Sequence, residues 1–304
     1  MAPAQLKASD RPLVEAYDCA MLDLDGVIYV GSHAVDGVPE VLARARSRGM
    51  TLAFVTNNAA RTPSQVAAHL TELGVEADAA DVVTSAQAAA REVARRVPEG
   101  SRVLVVGGEG LNVALRELGL VPVASADDEP VAIVQGFHPT IGWAALAEGA
   151  LAAARGLPWI ASNLDLTIPT ARGIAPGNGT LVQAVATASG RRPDAVAGKP
   201  YRPLFDETLL RVASTRPLVV GDRLDTDIEG ANRADTDSLL VMTGVTDLAT
   251  ICSAPADHRP TYISMTLEAL LRPVGAPTAR AAAWELSGWR VTNRDGRVLV
   301  EASG

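Results

Sequence analysis

Lysine is almost absent from this 304-residue chain: Lys7 and Lys199 are the only two, and arginine supplies every other strongly basic side chain. A chain that uses arginine wherever either cation serves marks Lys199 as a position needing a compact ammonium, because arginine's planar fork cannot replace a point charge in a tight pocket. Lys7, near the N-terminus, reads as a surviving surface lysine. Cysteine is scarce too. Cys19 and Cys252 make neither a disulfide framework nor a zinc cluster, which usually needs four grouped ligands. Aromatic residues are 4% of the chain and the net charge is −8, without the basic and aromatic clusters that bind nucleic acid. No apolar run approaches the roughly 18 residues of a membrane span, and the N-terminus has no signal-peptide core. These absences lead to the expectation of a cytoplasmic protein whose partners are neither nucleic acid nor membrane.

What is present lies at the ends of short apolar runs. In Ala20-Met21-Leu22-Asp23-Leu24-Asp25-Gly26 two aspartates one residue apart close a strand-like segment, and Gly26 permits the turn that lets both carboxylates converge beyond it. In open parallel sheets ligands bind beyond the carboxyl ends of strands, so this pair suits a metal and phosphoryl site; a calcium loop or a plain turn is the bland alternative. Leu52-Ala53-Phe54-Val55 ends in Thr56-Asn57-Asn58, a hydroxyl, two amides and free backbone N–H groups of the kind that bind phosphate. The following Thr62-Pro63-Ser64-Gln65 predicts a capped helix start. Lys199 lies in Gly198-Lys199-Pro200. Last, Leu218-Val219-Val220-Gly221 runs into Asp222, Asp225 and Asp227, where Asp225 is expected to cap a helix and Asp222 to face the crevice. So many carboxylates would repel one another without a cation among them, and oxygen ligands beside phosphate favour Mg²⁺.

In this order the four segments resemble the motifs of the haloacid dehalogenase superfamily of phosphatases. The nearest branch contains para-nitrophenyl phosphatases, phosphoglycolate, glycerol 3-phosphate and pyridoxal phosphatases, with a large α/β cap inserted between the second and third motifs. The long interval between Asn58 and Lys199 fits that insert. The resemblance implies a doubly wound parallel-sheet, Rossmann-like α/β core and a smaller α/β cap. It implies that Asp23 is a nucleophile forming an aspartyl phosphate and that Asp25 is the general acid and then base. Thr56, Asn57 and Asn58 would hold the phosphoryl group, with Lys199 neutralising it. Mg²⁺ would bind Asp23, Asp222 and the Asp25 main chain, and Asp227 would orient that shell. An acid at Asp25 also favours a phosphate ester, whose alkoxide must be protonated, over a halide. A phosphomutase and a phosphoryl-accepting receiver module are the alternatives.

The motifs divide the chain into a core of residues 1–85 and 193–275, a cap of 86–192 that sets specificity, and an extension of 276–304. Strands are predicted at Val103–Val106 and Val131–Val134, with helices at Leu111–Leu118, Trp143–Ala154 and Leu181–Thr187. Gly107-Gly108-Glu109-Gly110 fails as a dinucleotide loop at its third glycine and reads as a tight turn. The polar loop holding Asn163 and Asp165 is expected to face the core site. His138 stands where many relatives of the resembled branch place an aspartate, so it is a further candidate for reading the substrate. In the extension, alternating apolar residues around Asn293-Arg294-Asp295-Gly296 predict a hairpin, with Trp284 and Trp289 buried against the core or in a homodimer contact.

Overall fold

Six apolar runs pair in parallel to form a sheet in the order Val82–Thr84, Thr51–Thr56, Cys19–Leu22, Pro217–Gly221, Asp237–Val241, Tyr262–Ser264. The computed structural model that shows this describes residues 6–170, 172–280, 283–294 and 297–302. Alternation of side chains explains why the middle of the sheet is apolar on both faces. Ala20, Leu22, Phe54 and Val220 face one core, while Cys19, Met21, Val55 and Val219 face the other. Numbered along the chain the strand order is 3-2-1-4-5-6, so the winding reverses between Cys19–Leu22 and Pro217–Gly221. That reversal opens a crevice at the carboxyl ends of these two strands.

A second, smaller parallel sheet has the order Ala195–Val196, Trp159–Ala161, Ala132–Gln135, Arg102–Val106, Val121–Val123. Its helices include Glu109–Glu117, Trp143–Ala154 and Asn178–Ser189, each close to its predicted span. Ala195–Val196 lies past the return to the core expected at 193, because the chain completes this sheet before crossing back. Helix Ser85–Ala94 packs on helices Glu109–Glu117 and Arg202–Val212 and on strand Ala132–Gln135, so it joins the two units. Its Ala86, Ala88, Ala89 and Ala90 are fully buried, and side chains this small allow close approach on several sides. Thr84 and Gln87 close a capping box at its start.

That junction also holds a buried charge. Glu207 is 2% exposed and accepts from Arg91 Nε at 2.9 Å and Arg211 Nε at 2.8 Å. Burial alone would raise its carboxyl, but the two arginines outweigh burial and lower it. A depressed carboxylate contributes stability above its unfolded pKa, and that contribution is lost as pH falls through the folded value. Glu207→Gln is therefore expected to cost about 1–3 kcal/mol at pH 7. The gap in melting temperature from wild type should narrow in acid; a gap independent of pH would contradict the ion-pair account.

The extension departs from expectation. It forms a four-stranded antiparallel sheet, Thr278–Arg280, Ala283–Leu286, Trp289–Arg294 and Arg297–Ala302, in place of a lone hairpin. The predicted hairpin is its outer half, and the Asp295-Gly296 turn lies outside the described residues. Trp284 and Trp289 are 52% and 56% exposed, so neither is buried against the core of its own chain, which leaves the homodimer contact as the standing expectation. They sit on the sheet's open apolar face beside a groove of about 590 Å³. Lys7 is paired rather than idle: its Nζ lies 2.7 Å from Asp237, tying the N-terminal segment to the core. No described helix is long and apolar enough to cross a membrane.

Candidate active site

Asp23 leaves strand Cys19–Leu22 at the reversal point, with its N–H still donating to the Val220 carbonyl at 2.9 Å. Asp222 leaves the neighbouring strand Pro217–Gly221 at the same level. Gly26, at φ +83°, turns the first loop, and a Cβ there would overlap the Asp222 carboxylate, so both the backbone conformation and the close approach require glycine. One carboxylate oxygen from each of Asp23, Asp222 and Asp227 lies within 4.8 Å of the other two. Lys199, 4% exposed, enters from the side and donates through Nζ to Asp23 Oδ1 at 2.5 Å, Asp227 Oδ1 at 2.7 Å and the Val55 carbonyl at 3.3 Å. Three acceptors match the three N–H bonds of an ammonium.

The remaining oxygens divide the carboxylates by role. Asp227 Oδ2 accepts the Arg223 N–H at 3.2 Å, so both its oxygens are engaged. Asp222 Oδ2 accepts the Val245 N–H at 2.8 Å, whereas its buried Oδ1 has no hydrogen-bond partner. An orphaned carboxylate oxygen beside Asp23 fits a hard divalent cation. Burial, then the Asp227 and Asp23 charges, pushes Asp222 up to about 7. Burial would depress Lys199, but Asp227 and Asp23 outweigh it and raise it. Asp25 reaches solvent, yet partial burial holds its carboxyl above the ordinary range against the pull of Lys199, Arg61 and His69.

Asn57 ties the two units together. Its Oδ1 accepts the Lys199 N–H at 2.8 Å, and its Nδ2 donates to the Lys199 carbonyl at 3.1 Å and to Asp165 Oδ2 at 3.1 Å. Its own carbonyl accepts from Ser85 Oγ at 2.6 Å and Asn163 Nδ2 at 2.8 Å. The expected approach of the Asn163–Asp165 loop to the core thus occurs through Asn57. The Asn58 N–H donates to Thr56 Oγ1 at 3.1 Å, leaving the threonine hydroxyl proton to donate elsewhere. Asn58 Oδ1 accepts the Ala60 and Arg61 N–H groups and so shapes the loop before helix Pro63–Glu72, where the Thr62–Gln65 capping box forms as predicted.

Two haloacid dehalogenase-like hydrolase models match the chain, at residues 20–121 and 196–270. D-glycerol 3-phosphate phosphatase of Mycobacterium tuberculosis is 45% identical over 97% of this chain and 81% of its own length. The chain belongs to the haloacid dehalogenase-like hydrolases. A crystal structure of the M. tuberculosis glycerol phosphate phosphatase in complex with magnesium superimposes with a TM-score of 0.88 at 44% identity, covering 97% of this chain and 87% of that one. Acid sugar phosphatase of Staphylococcus aureus is 34% identical over 77% of this chain and 90% of its own.

Other site residues of this hydrolase differ from the sequence reading. Asp225 does not cap a helix: Asp227 takes the Arg223 N–H, the chain winds through a π-turn at Leu224–Ile228, and Asp225 instead forms a two-bonded pair with Arg223 at 3.0 and 2.7 Å. In place of a tight turn over Gly107–Gly110, the chain bends at Gly107 and enters helix Glu109–Glu117, where Gly110 is pressed on the Ala59 and Arg61 carbonyls and so allows contact between the units. His138 packs against Gly108 and bonds Thr140 Oγ1 at 2.7 Å, placing it at the carboxyl end of the second sheet rather than among the core carboxylates. The loop after Asp237–Val241 was missed. Thr243 Oγ1 donates to the Gly26 carbonyl at 2.6 Å, and Val245 and Thr246 hold Asp222 through its side chain and carbonyl. Its signal was a further apolar strand ending in Thr243-Gly244, the same strand-end pattern as the other motifs.

Proposed function

We propose that this chain is a Mg²⁺-dependent phosphatase that hydrolyses a small phosphomonoester, with glycerol 3-phosphate as its substrate. The observation that carries the reading is one buried lysine bridging Asp23 and Asp227 beside the unpartnered Asp222 oxygen. The similarity to D-glycerol 3-phosphate phosphatase supports the substrate over 2-phosphoglycolate. Asp23 attacks phosphorus through a carboxylate oxygen, the bond to the ester oxygen breaks, and Asp25 gives its proton to the departing alkoxide. Asp25, now ionised, takes a proton from water; that water attacks the aspartyl phosphate and the phosphorus bond to Asp23 breaks, releasing phosphate. A raised carboxyl at Asp25 suits the acid role. The Thr56 hydroxyl and the Asn57 backbone N–H receive phosphoryl oxygens, and Lys199 offsets their charge. The free oxygens of Asp23 and Asp222, with the Asp25 carbonyl, would hold Mg²⁺, while Asp227 orients Lys199. When bound, the cation withdraws charge from the phosphoryl group.

Asp165 and His138 line the route to the substrate's alcohol end in this reading, which places the enzyme in the cytoplasm as a homodimer. Phosphate release from a panel of small phosphomonoesters, with Mg²⁺ and with chelator, tests it. Metal-dependent release, fastest from glycerol 3-phosphate, is expected. Stoichiometric labelling by acetyl phosphate with no release from any ester would instead identify a receiver-like module.

A further inference from the structure

Among the described residues the C-terminal sheet ends in an open edge. Arg297–Ala302 is the outermost strand, pairs only with Trp289–Arg294 among the described residues, and is exposed along its whole length. Its side chains are no better covered: Val298 is 66% exposed and Val300 58%. A long apolar edge with neither proline nor lysine to block it presents unpaired backbone groups to another strand.

The sequence of that edge says which strand. Arg297-Val298-Leu299-Val300-Glu301 has the same apolar pattern in both directions about Leu299, with opposite charges at its ends. We propose that Arg297–Ala302 pairs antiparallel with the same strand of a second copy, on a two-fold axis through Leu299. In that register Arg297 stands opposite Glu301 of the second copy, twice over, Val298 opposite Val300, and Leu299 opposite Leu299. Directly opposed residues share a face and their side chains meet, so each apolar residue finds an apolar neighbour and each charge its counter-charge. The pairing also corrects a local conflict. Within one chain Arg297 is opposed to Arg294, a like-charge pair, and neither Arg297 nor Glu301 has an ion-pair partner among the described residues.

The register of the sheet separates this edge contact from a face-on one. Trp284, Val291 and Val300 are opposed in one row, as are Leu286, Trp289 and Ala302, so the tryptophans share the face of Val298 and Val300. Arg297, Leu299 and Glu301 occupy the other face. A dimer packed through the tryptophan face would therefore ignore the charges, whereas an edge-paired dimer depends on them.

This inference rests on the homodimer reading and is independent of turnover. The test is molar mass by sedimentation equilibrium on the full chain, with Arg297→Glu, Glu301→Arg, the double reversal and Trp289→Ser. Wild type is expected to dimerise, each single reversal to weaken association about 10-fold or more, and the double reversal to restore it. The fold of each variant is checked by its thermal melt. A wild type that stays monomeric at every concentration overturns the homodimer reading itself. A dimer indifferent to the single reversals, not restored by the double reversal, or lost only with Trp289→Ser overturns the edge pairing alone.

Discussion

Asp23→Asn is expected to fold as the parent does and to lose turnover by about 10³-fold or more, roughly 4 kcal/mol of transition-state stabilisation. The exchange keeps volume nearly constant and replaces a carboxylate by an amide, a far weaker nucleophile. It also removes one of three carboxylates gathered within 4.8 Å. With less mutual repulsion, the variant without metal should melt no lower than wild type, even though Lys199 loses one of its two charged partners. Phosphate release and thermal melts with and without Mg²⁺ check both halves. A folded Asp23→Asn enzyme with wild-type turnover would falsify the nucleophile assignment.

The second large effect is at Lys199. Lys199→Arg keeps the charge but not the shape. Nζ has three acceptors, Asp23, Asp227 and the Val55 carbonyl, and no room near solvent, so the five donors of a guanidinium would enter a site that can satisfy three. An overpacked side chain and unsatisfied donors are each worth about 1–3 kcal/mol. The expected result is a melting temperature several degrees lower and kcat reduced about 100-fold. Retention of wild-type kcat would show that a compact ammonium is not required there, and lysine scarcity would then carry no information about this site.

Legibility differed between parts of the chain for physical reasons. The Thr62–Gln65 box and helix Trp143–Ala154 were readable because capping and apolar periodicity act over a few residues. The strand-end aspartates were readable because a carboxylate directly after a buried apolar run must stand at the mouth of the sheet, where a cation or a ligand can meet its charge. Asp225 was misread because an N-cap requires the helix to begin with ordinary winding, and the hydrogen bond from Arg223 to Asp227 imposes a π-turn instead. Packing of the extension's tryptophans on their own core was not legible, because residue type predicts average burial, while exposure depends on what lies above the sheet.

By itself the sequence determined the alternation of strands and helices, the four motifs, their order, and the singularity of Lys199, since each is fixed by residue type and short spacing. The tertiary structure decided which of those residues share a site. Parallel pairing places Asp23 and Asp222, 199 positions apart, at neighbouring strand ends. Only packing between the two units brings Asn57 to Asp165, and only the return of the chain into the core brings it to the Lys199 backbone. Only the loop after Asp237–Val241 leaves one Asp222 oxygen held and the other free. These are contacts between residues remote in sequence, and local propensity carries no information about them.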